Sequence, residues 1–160
     1  MIGVFLVWAN VLAAQTAEDT VVLKIADIDY TESPELIDVC LSAENFNDVW
    51  STSFTFDWNA GVFEFVEVSY MNPLVVFSLN TDLSPQGRLP ALWYDSRVEG
   101  VSLDVQNRLM CVTFKVLRKP CNGESIQLVN EPTEITITDD SESMPLRLQP
   151  GQVVGSSCSK

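Results

Sequence analysis

Residues 51–68 read STSFTFDWNAGVFEFVEV, and this stretch decides the fold class. From Ser51 to Trp58 it alternates strictly. Thr52, Phe54, Phe56 and Trp58 share one side, and Ser51, Ser53, Thr55 and Asp57 share the other. A period of two over that length belongs to a strand with one buried and one solvated face. Asn59-Ala60-Gly61 then turns the chain, and Val62 to Val68 starts a second strand anchored by Val62, Phe63 or Phe65, and Val68. The aromatic side must find a core. The polar comb of Ser51, Ser53 and Thr55 has no such obligation, which makes it the first candidate for a binding function.

The same period recurs outward from this stretch. Residues 20–28 and 36–43 read as strands, the second with Ile37, Val39 and Leu41 inward and Asp38, Cys40 and Ser42 outward. Residues 74–80 alternate Val75, Phe77 and Leu79 against Val76, Ser78 and Asn80, and residues 89–95 alternate Leu89, Ala91 and Trp93 against Leu92 and Tyr94. Residues 109–117, 125–129, 134–138 and 146–155 complete the series, separated by turns rich in Gly, Pro, Asn and Asp. No segment keeps a helical period. Short strands at regular spacing with such turns predict an all-β sandwich.

The chain has 160 residues, 46% of them apolar and 19% charged, which suits one globular domain with a sizeable core. Nine Lys and Arg against 22 Asp and Glu give a net charge of −13, which repels phosphate backbones and anionic membranes, so no nucleic-acid partner is expected. Residues 1–14 form an apolar run ending in small residues, read as a signal peptide cut after Ala13 or Ala14 and too short to insert in a membrane. No Lys or Arg precedes Lys24, which departs from the usual basic start of such a segment. Residues 20–155 are assigned to the sandwich and 156–160 to a C-terminal tail, with a secreted or cell-surface location expected.

Histidine is absent, which removes the commonest general base, the commonest metal ligand and every Ser-His or Cys-His nucleophile pair. The acidic pairs Asp27/Asp29, Glu64/Glu67 and Asp139/Asp140 with Glu142 invite a glycosidase reading, but nothing in their spacing sets two carboxylates on opposed walls. No catalytic residue, cofactor or metal is therefore assigned. Trp58 and Trp93 occupy inward positions, whereas Trp50, Tyr70 and Tyr94 keep a sugar-stacking role open. Four cysteines, none in a C-x-x-C, fit an oxidising compartment.

Taken together, SFTFDWNAGVFEFVEV from Ser53, LPALWYDS-RVEGVSL from Leu89, LMCVTFKV from Leu109 and PGQVVG from Pro150 resemble a cohesin domain over about residues 21–155. The resemblance implies a nine-strand jelly-roll sandwich related to carbohydrate-binding modules. It also implies a non-catalytic bacterial receptor that docks dockerin-type modules or a neighbouring domain of a scaffold in polysaccharide-degrading or surface systems. Any calcium would then sit on the partner. Direct glycan binding is the alternative. The implied docking face presents Ser51, Ser53, Thr55, Ser78, Asn80, Leu92, Tyr94 and Gln127. Dockerin-binding members usually carry an Asn and an Asp where this chain has Ser51 and Ser53, so the face offers hydrogen bonds without charge. In the family's strand order the strands of Cys40 and Cys111 are antiparallel neighbours, which implies a cross-strand disulfide. It also brings Cys121 and Cys158 to one pole, implying a second bridge there.

Overall fold

Almost every alternation read above becomes a strand in the computed structural model, which describes residues 20–104, 107–140 and 142–156. In chain order these are β1 (Val21–Ile25), β2 (Ile28–Asp29), β3 (Leu36–Glu44), β4 (Ser51–Asp57), β5 (Phe63–Met71) and β6 (Ser78–Leu79). They continue with β7 (Arg88–Tyr94), β8 (Asn107–Val116), β9 (Ser125–Val129), β10 (Thr136–Thr138), β11 (Leu146–Gln149) and β12 (Gly151–Val154). One sheet runs β11-β1-β3-β8-β5; the other runs β2-β12-β9-β4-β7-β6, with β10 also on β4.

Three interruptions explain why twelve segments appear where the resemblance implies nine strands. β1 pairs with β11 in the first sheet and β2 with β12 in the second, both in parallel, so each of these two strands switches sheets part-way. The switch is tight. A Cβ on Gly151 would meet the Ala26 carbonyl oxygen at 2.4 Å, and Asp27 Oδ1 accepts the Gln152 N–H at 3.0 Å. β9 and β10 both run antiparallel to β4, on Thr55–Asp57 and Ser51–Ser53 in turn, so they are one strand broken by Asn130–Ile135. That insertion includes a cis Glu131–Pro132 bond.

The core lies between the sheets and is aromatic at its centre. Phe54 and Phe56 of β4 and Phe63 and Phe114 from the facing sheet are fully buried. Trp58 stacks edge-on against Phe114 at 5.0 Å and donates its indole N–H to the Phe63 carbonyl at 3.0 Å. Burial of each such side chain contributes roughly 2–3 kcal/mol, with the aromatic pairing adding to it. The turn at Asn59-Ala60-Gly61 thus carries the chain from one sheet to the other and is not a hairpin. Gly87 closes the far side of the same corner at φ +79°, where its carbonyl accepts the Trp58 N–H and a side chain would strike the Trp58 carbonyl.

The segment at 74–80 departs from its expected strand. Val75 and Phe77 are buried as the alternation requires, but only Ser78–Leu79 pairs, with β7. Thr81–Gln86 then forms a 3-10 turn capped by the Asn80 side chain, which accepts the Asp82 N–H. Pro90 sits in β7 with its carbonyl toward this edge, where it accepts the Asn80 N–H. A strand residue's N and O point the same way, so its missing N–H falls where the pairing ends.

Cys40 and Cys111 face each other across β3 and β8 and form the first implied disulfide, with Cα atoms 4.0 Å apart. Cys158, and with it the second bridge, lies outside the described residues, as does the segment read as a signal peptide. Ser156, the last described residue, is anchored. It is buried, donates its hydroxyl to the Pro120 carbonyl at 2.5 Å and its N–H to Asn122 Oδ1 at 2.8 Å. No helix among the described residues is long and apolar enough to cross a membrane.

Candidate functional site

Register fixes where each candidate side chain falls on the outer face of the second sheet. One cross-sheet row holds Thr138, Ser51 and Tyr94; the next holds Thr136, Ser53, Leu92 and Ser78. A third holds Val129, Thr55 and Pro90, with Asn80 bonded beside Pro90. The last holds Gln127, Asp57 and Arg88, where Asp57 accepts from Gln127 at 3.4 Å and pairs with Arg88 at 3.6 Å. All eight candidates therefore share one face, as the alternation requires.

They do not share exposure. Ser53 is 7% exposed and Thr55 is fully buried, which corrects the expectation of a solvated comb. The cause is the insertion in the neighbouring strand. It leaves the sheet opposite Phe54 and folds over the two residues on either side. Ser53 Oγ donates to the Glu134 carbonyl at 2.7 Å and shares a hydrogen bond with Thr136 Oγ1 at 2.8 Å; Thr55 Oγ1 accepts the Thr133 N–H at 3.3 Å. Ser51 is half-buried and bonded to Thr138 Oγ1 at 2.7 Å. These hydroxyls are occupied within the protein.

The open part of the face lies over β6 and β7. Leu92 and Tyr94 are exposed, and Leu74 and Val76, from the irregular segment before β6, are exposed beside them. They border a shallow groove of about 470 Å³ whose far end is Asp95 and Arg97. Leu74 and Val76 were missed because an outward apolar residue in a supposed strand reads as ordinary alternation. The available signal was their size: bulky aliphatics at outward positions of a strand whose inward side was already filled.

Asp95 organises the polar end of the groove. Its carboxylate accepts the N–H groups of Arg97 and Glu99, each at 3.1 Å, and pairs with the Arg97 guanidinium at 3.5 Å. The Arg97 N–H holds its pKa below the ordinary carboxylate value, against a smaller opposing effect of burial. Asp29 is lowered likewise, chiefly by the Thr31 hydroxyl. A general acid needs the opposite shift. Of the acids read as glycosidase-like, Asp27 and Asp139 accept the backbone N–H groups of Gln152 and Glu142, and Glu64 and Glu67 lie on β5. Among the described residues no group of three potential ligands is placed to hold a metal.

No protein-family model and no curated protein matches the sequence. Solved structures do match. The sixth cohesin of scaffoldin B from Acetivibrio cellulolyticus, solved with a mutant dockerin, superposes at TM-score 0.67 with 14% identity over 84% of this chain and 97% of that one. A non-cellulosomal cohesin from the archaeon Archaeoglobus fulgidus gives 0.66 with 18% identity over 84% and 89%. The seventh type I cohesin of a Pseudobacteroides cellulosolvens scaffold protein gives 0.65 with 14% identity over 88% and 95%. The fold is that of a cohesin. Its jelly roll leaves two outer sheet faces, and in this cohesin-like chain the one built on β4, β7 and β6 carries Leu92 and Tyr94, with Leu74 and Val76 at its rim.

Proposed function

We propose that the chain is a non-catalytic binding module that docks a dockerin-type partner on the β6–β7 half of its second sheet, in a secreted or cell-surface assembly. The observation that carries this reading is the contiguous exposed cluster of Leu74, Val76, Leu92 and Tyr94 on a cohesin fold. Large apolar side chains grouped on an otherwise polar surface mark an interaction site. Among the neighbours, that of Acetivibrio cellulolyticus was solved with a dockerin bound. The Cys40–Cys111 disulfide supports an oxidising compartment and hence export.

The docking footprint differs from the one implied by sequence. Ser53 and Thr55 are covered and contribute by holding the insertion, while Ser51 and Ser78 flank Tyr94 and Leu92, Asn80 lies beside the next row and Gln127 lies in the last row, away from the apolar cluster. Direct glycan binding is less well supported. The exposed aromatic side chains among the described residues are Tyr70 and Tyr94, which lie on different sheets and cannot form one stacking platform.

The test is biolayer interferometry of the chain against a panel of recombinant dockerins, with calcium and with chelator. Calcium-dependent binding that disappears on Tyr94→Arg is the expected result. A dockerin that binds equally well to Tyr94→Arg and Leu92→Arg places the interface elsewhere, and a silent panel removes the reading.

A further inference from the structure

The outer face of the first sheet carries a polar groove of about 490 Å³. It runs along β3 from Asp38 past Cys40 and Ser42 to Glu44, with Lys24 and Ala26 on one side and Arg108 on the other. Register brings Lys24, Ser42 and Arg108 into one cross-strand row. Arg108 reaches that row through a β-bulge. β3 and β8 pair Leu41 with Met110 but Ser42 with Arg108, so Leu109 is an extra residue in β8. Leu109 and Met110 are both fully buried, and the chain turns outward again at Arg108. Strict alternation from Met110 would have sent Arg108 into the core; the bulge aims it at the groove instead.

Cations are scarce in this chain, nine against 22 acids, and those in ion pairs among the described residues are Arg88, Arg97 and Arg118. Lys24 and Arg108 are exposed, line the same groove and belong to none of these pairs. Two strand spacings, about 10 Å, separate their backbones, so both long side chains can reach one anion above Ser42. The ends of the groove are acidic. Asp38 is engaged, its carboxylate accepting from the Thr113 hydroxyl and from Ser69 Oγ at 3.2 Å. Glu44 is half-buried, and among the described residues no donor engages it. A simple anion gains from the two cations but meets Glu44 as a like charge. A ligand with a carboxylate and neighbouring hydroxyls satisfies both, giving the first to the cations and a hydroxyl proton to Glu44.

We propose that this groove binds a sugar acid, a ring with one carboxylate and adjacent hydroxyls, with Lys24 and Arg108 on the carboxylate and Glu44 accepting from a hydroxyl. Its volume falls within the range of small-ligand sites. The groove and the docking face lie on different sheets, so the proposal does not depend on the docking reading. Charge and hydrogen bonds hold the ligand without an aromatic platform, so the separation of Tyr70 from Tyr94 does not bear on it. A free sugar acid and a residue of an acidic polysaccharide present the same chemistry to these three side chains.

The test titrates the 15N-labelled chain with galacturonate, galactose and acetate at constant ionic strength. Galacturonate should saturably shift the amides of Lys24, Ser42, Glu44 and Arg108 and leave those of Leu92 and Tyr94 in place. Galactose and acetate should each bind about tenfold more weakly or worse. Lys24→Gln and Arg108→Gln should each weaken galacturonate about threefold, and the double variant about tenfold. Both side chains are exposed, and a melting curve on each variant checks that it is folded. Glu44→Gln separates hydroxyl recognition from plain attraction: it should weaken galacturonate about threefold while strengthening acetate. No saturable shift by galacturonate, equal affinity for galactose or acetate, full retention by the double variant, or tighter galacturonate binding by Glu44→Gln overturns the proposal. Trigalacturonate then distinguishes the sources. Tighter binding than the monomer marks a polymer and equal binding a free sugar acid, and either result upholds the site.

Discussion

Leu92 and Tyr94 are outward-facing residues whose side chains do nothing for the core, so replacing them separates binding from folding. Leu92→Arg or Tyr94→Arg should weaken dockerin binding by roughly 30-fold or more, the cost of losing an interface anchor, while leaving thermal stability nearly unchanged. Interferometry and a melting curve on the same preparation check both halves. Ser53 behaves in the opposite way. Ser53→Ala removes the hydrogen bonds to the Glu134 carbonyl and Thr136, and should lower stability by about 1–2 kcal/mol in a urea titration. The contrast marks what alternation can tell. It assigned Ser53 and Leu92 to one face correctly, because side-chain direction follows from backbone period. It could not show that six residues inserted far along the chain would return to cover Ser53 and not Leu92. At Asp95 the relevant quantity is pH. Its folded-state pKa is depressed below the ordinary value of 3.8 by the Arg97 N–H, so its stabilising effect is present above that value and is lost as pH falls through the folded pKa. Carboxyl NMR should give Asp95 a midpoint below 3.8, with the Arg97 and Glu99 amides shifting in step; a midpoint at or above that value would show that the loop is not held this way.

Elements carry the next level of argument, and the disulfide is the clearest. Cys40 and Cys111 are 71 residues apart in sequence and directly opposed in β3 and β8, at the centre of the first sheet. Opening a loop of that size should cost on the order of 4 kcal/mol, mostly by freeing the unfolded chain. A paired Cys40→Ser, Cys111→Ser variant should therefore shift the urea midpoint strongly downward, and peptide mapping of unreduced protein should find the two peptides joined. The same map tests the Cys121–Cys158 bridge, which the anchoring of Ser156 on Pro120 and Asn122 supports. Strand existence was well marked in the sequence, since apolar alternation survives whatever the strand pairs with. Strand continuity was not. The residues before β6 alternate like a strand but find no partner until Ser78, and β9–β10 is a single strand whose interruption has no signature beyond Pro132. Sheet switching at Ala26 and at Pro150 was equally hidden, because a strand that changes partners keeps its period.

At the scale of the molecule the main unbalanced quantity is charge. A net −13 on 160 residues, with four acid–base contacts among the described residues, means that most carboxylates face water or one another. Repulsion of this kind works against the compact state and acts over a distance set by salt, about 10 Å at 0.1 M. In each ion pair the arginine is exposed to water, although the Asp95 and Glu124 carboxylates are more covered, so the pairs contribute little that salt could remove. Screening should therefore stabilise this protein: its melting temperature should rise by a few degrees as sodium chloride goes from about 0.01 M to about 0.3 M at neutral pH, because the Debye length falls well below the spacing of the surface acids. The effect should be the same with sodium and potassium chloride, which separates general screening from a specific cation site. A melting temperature that falls with salt would mean that attractive pairs, not repulsion, dominate the folded surface.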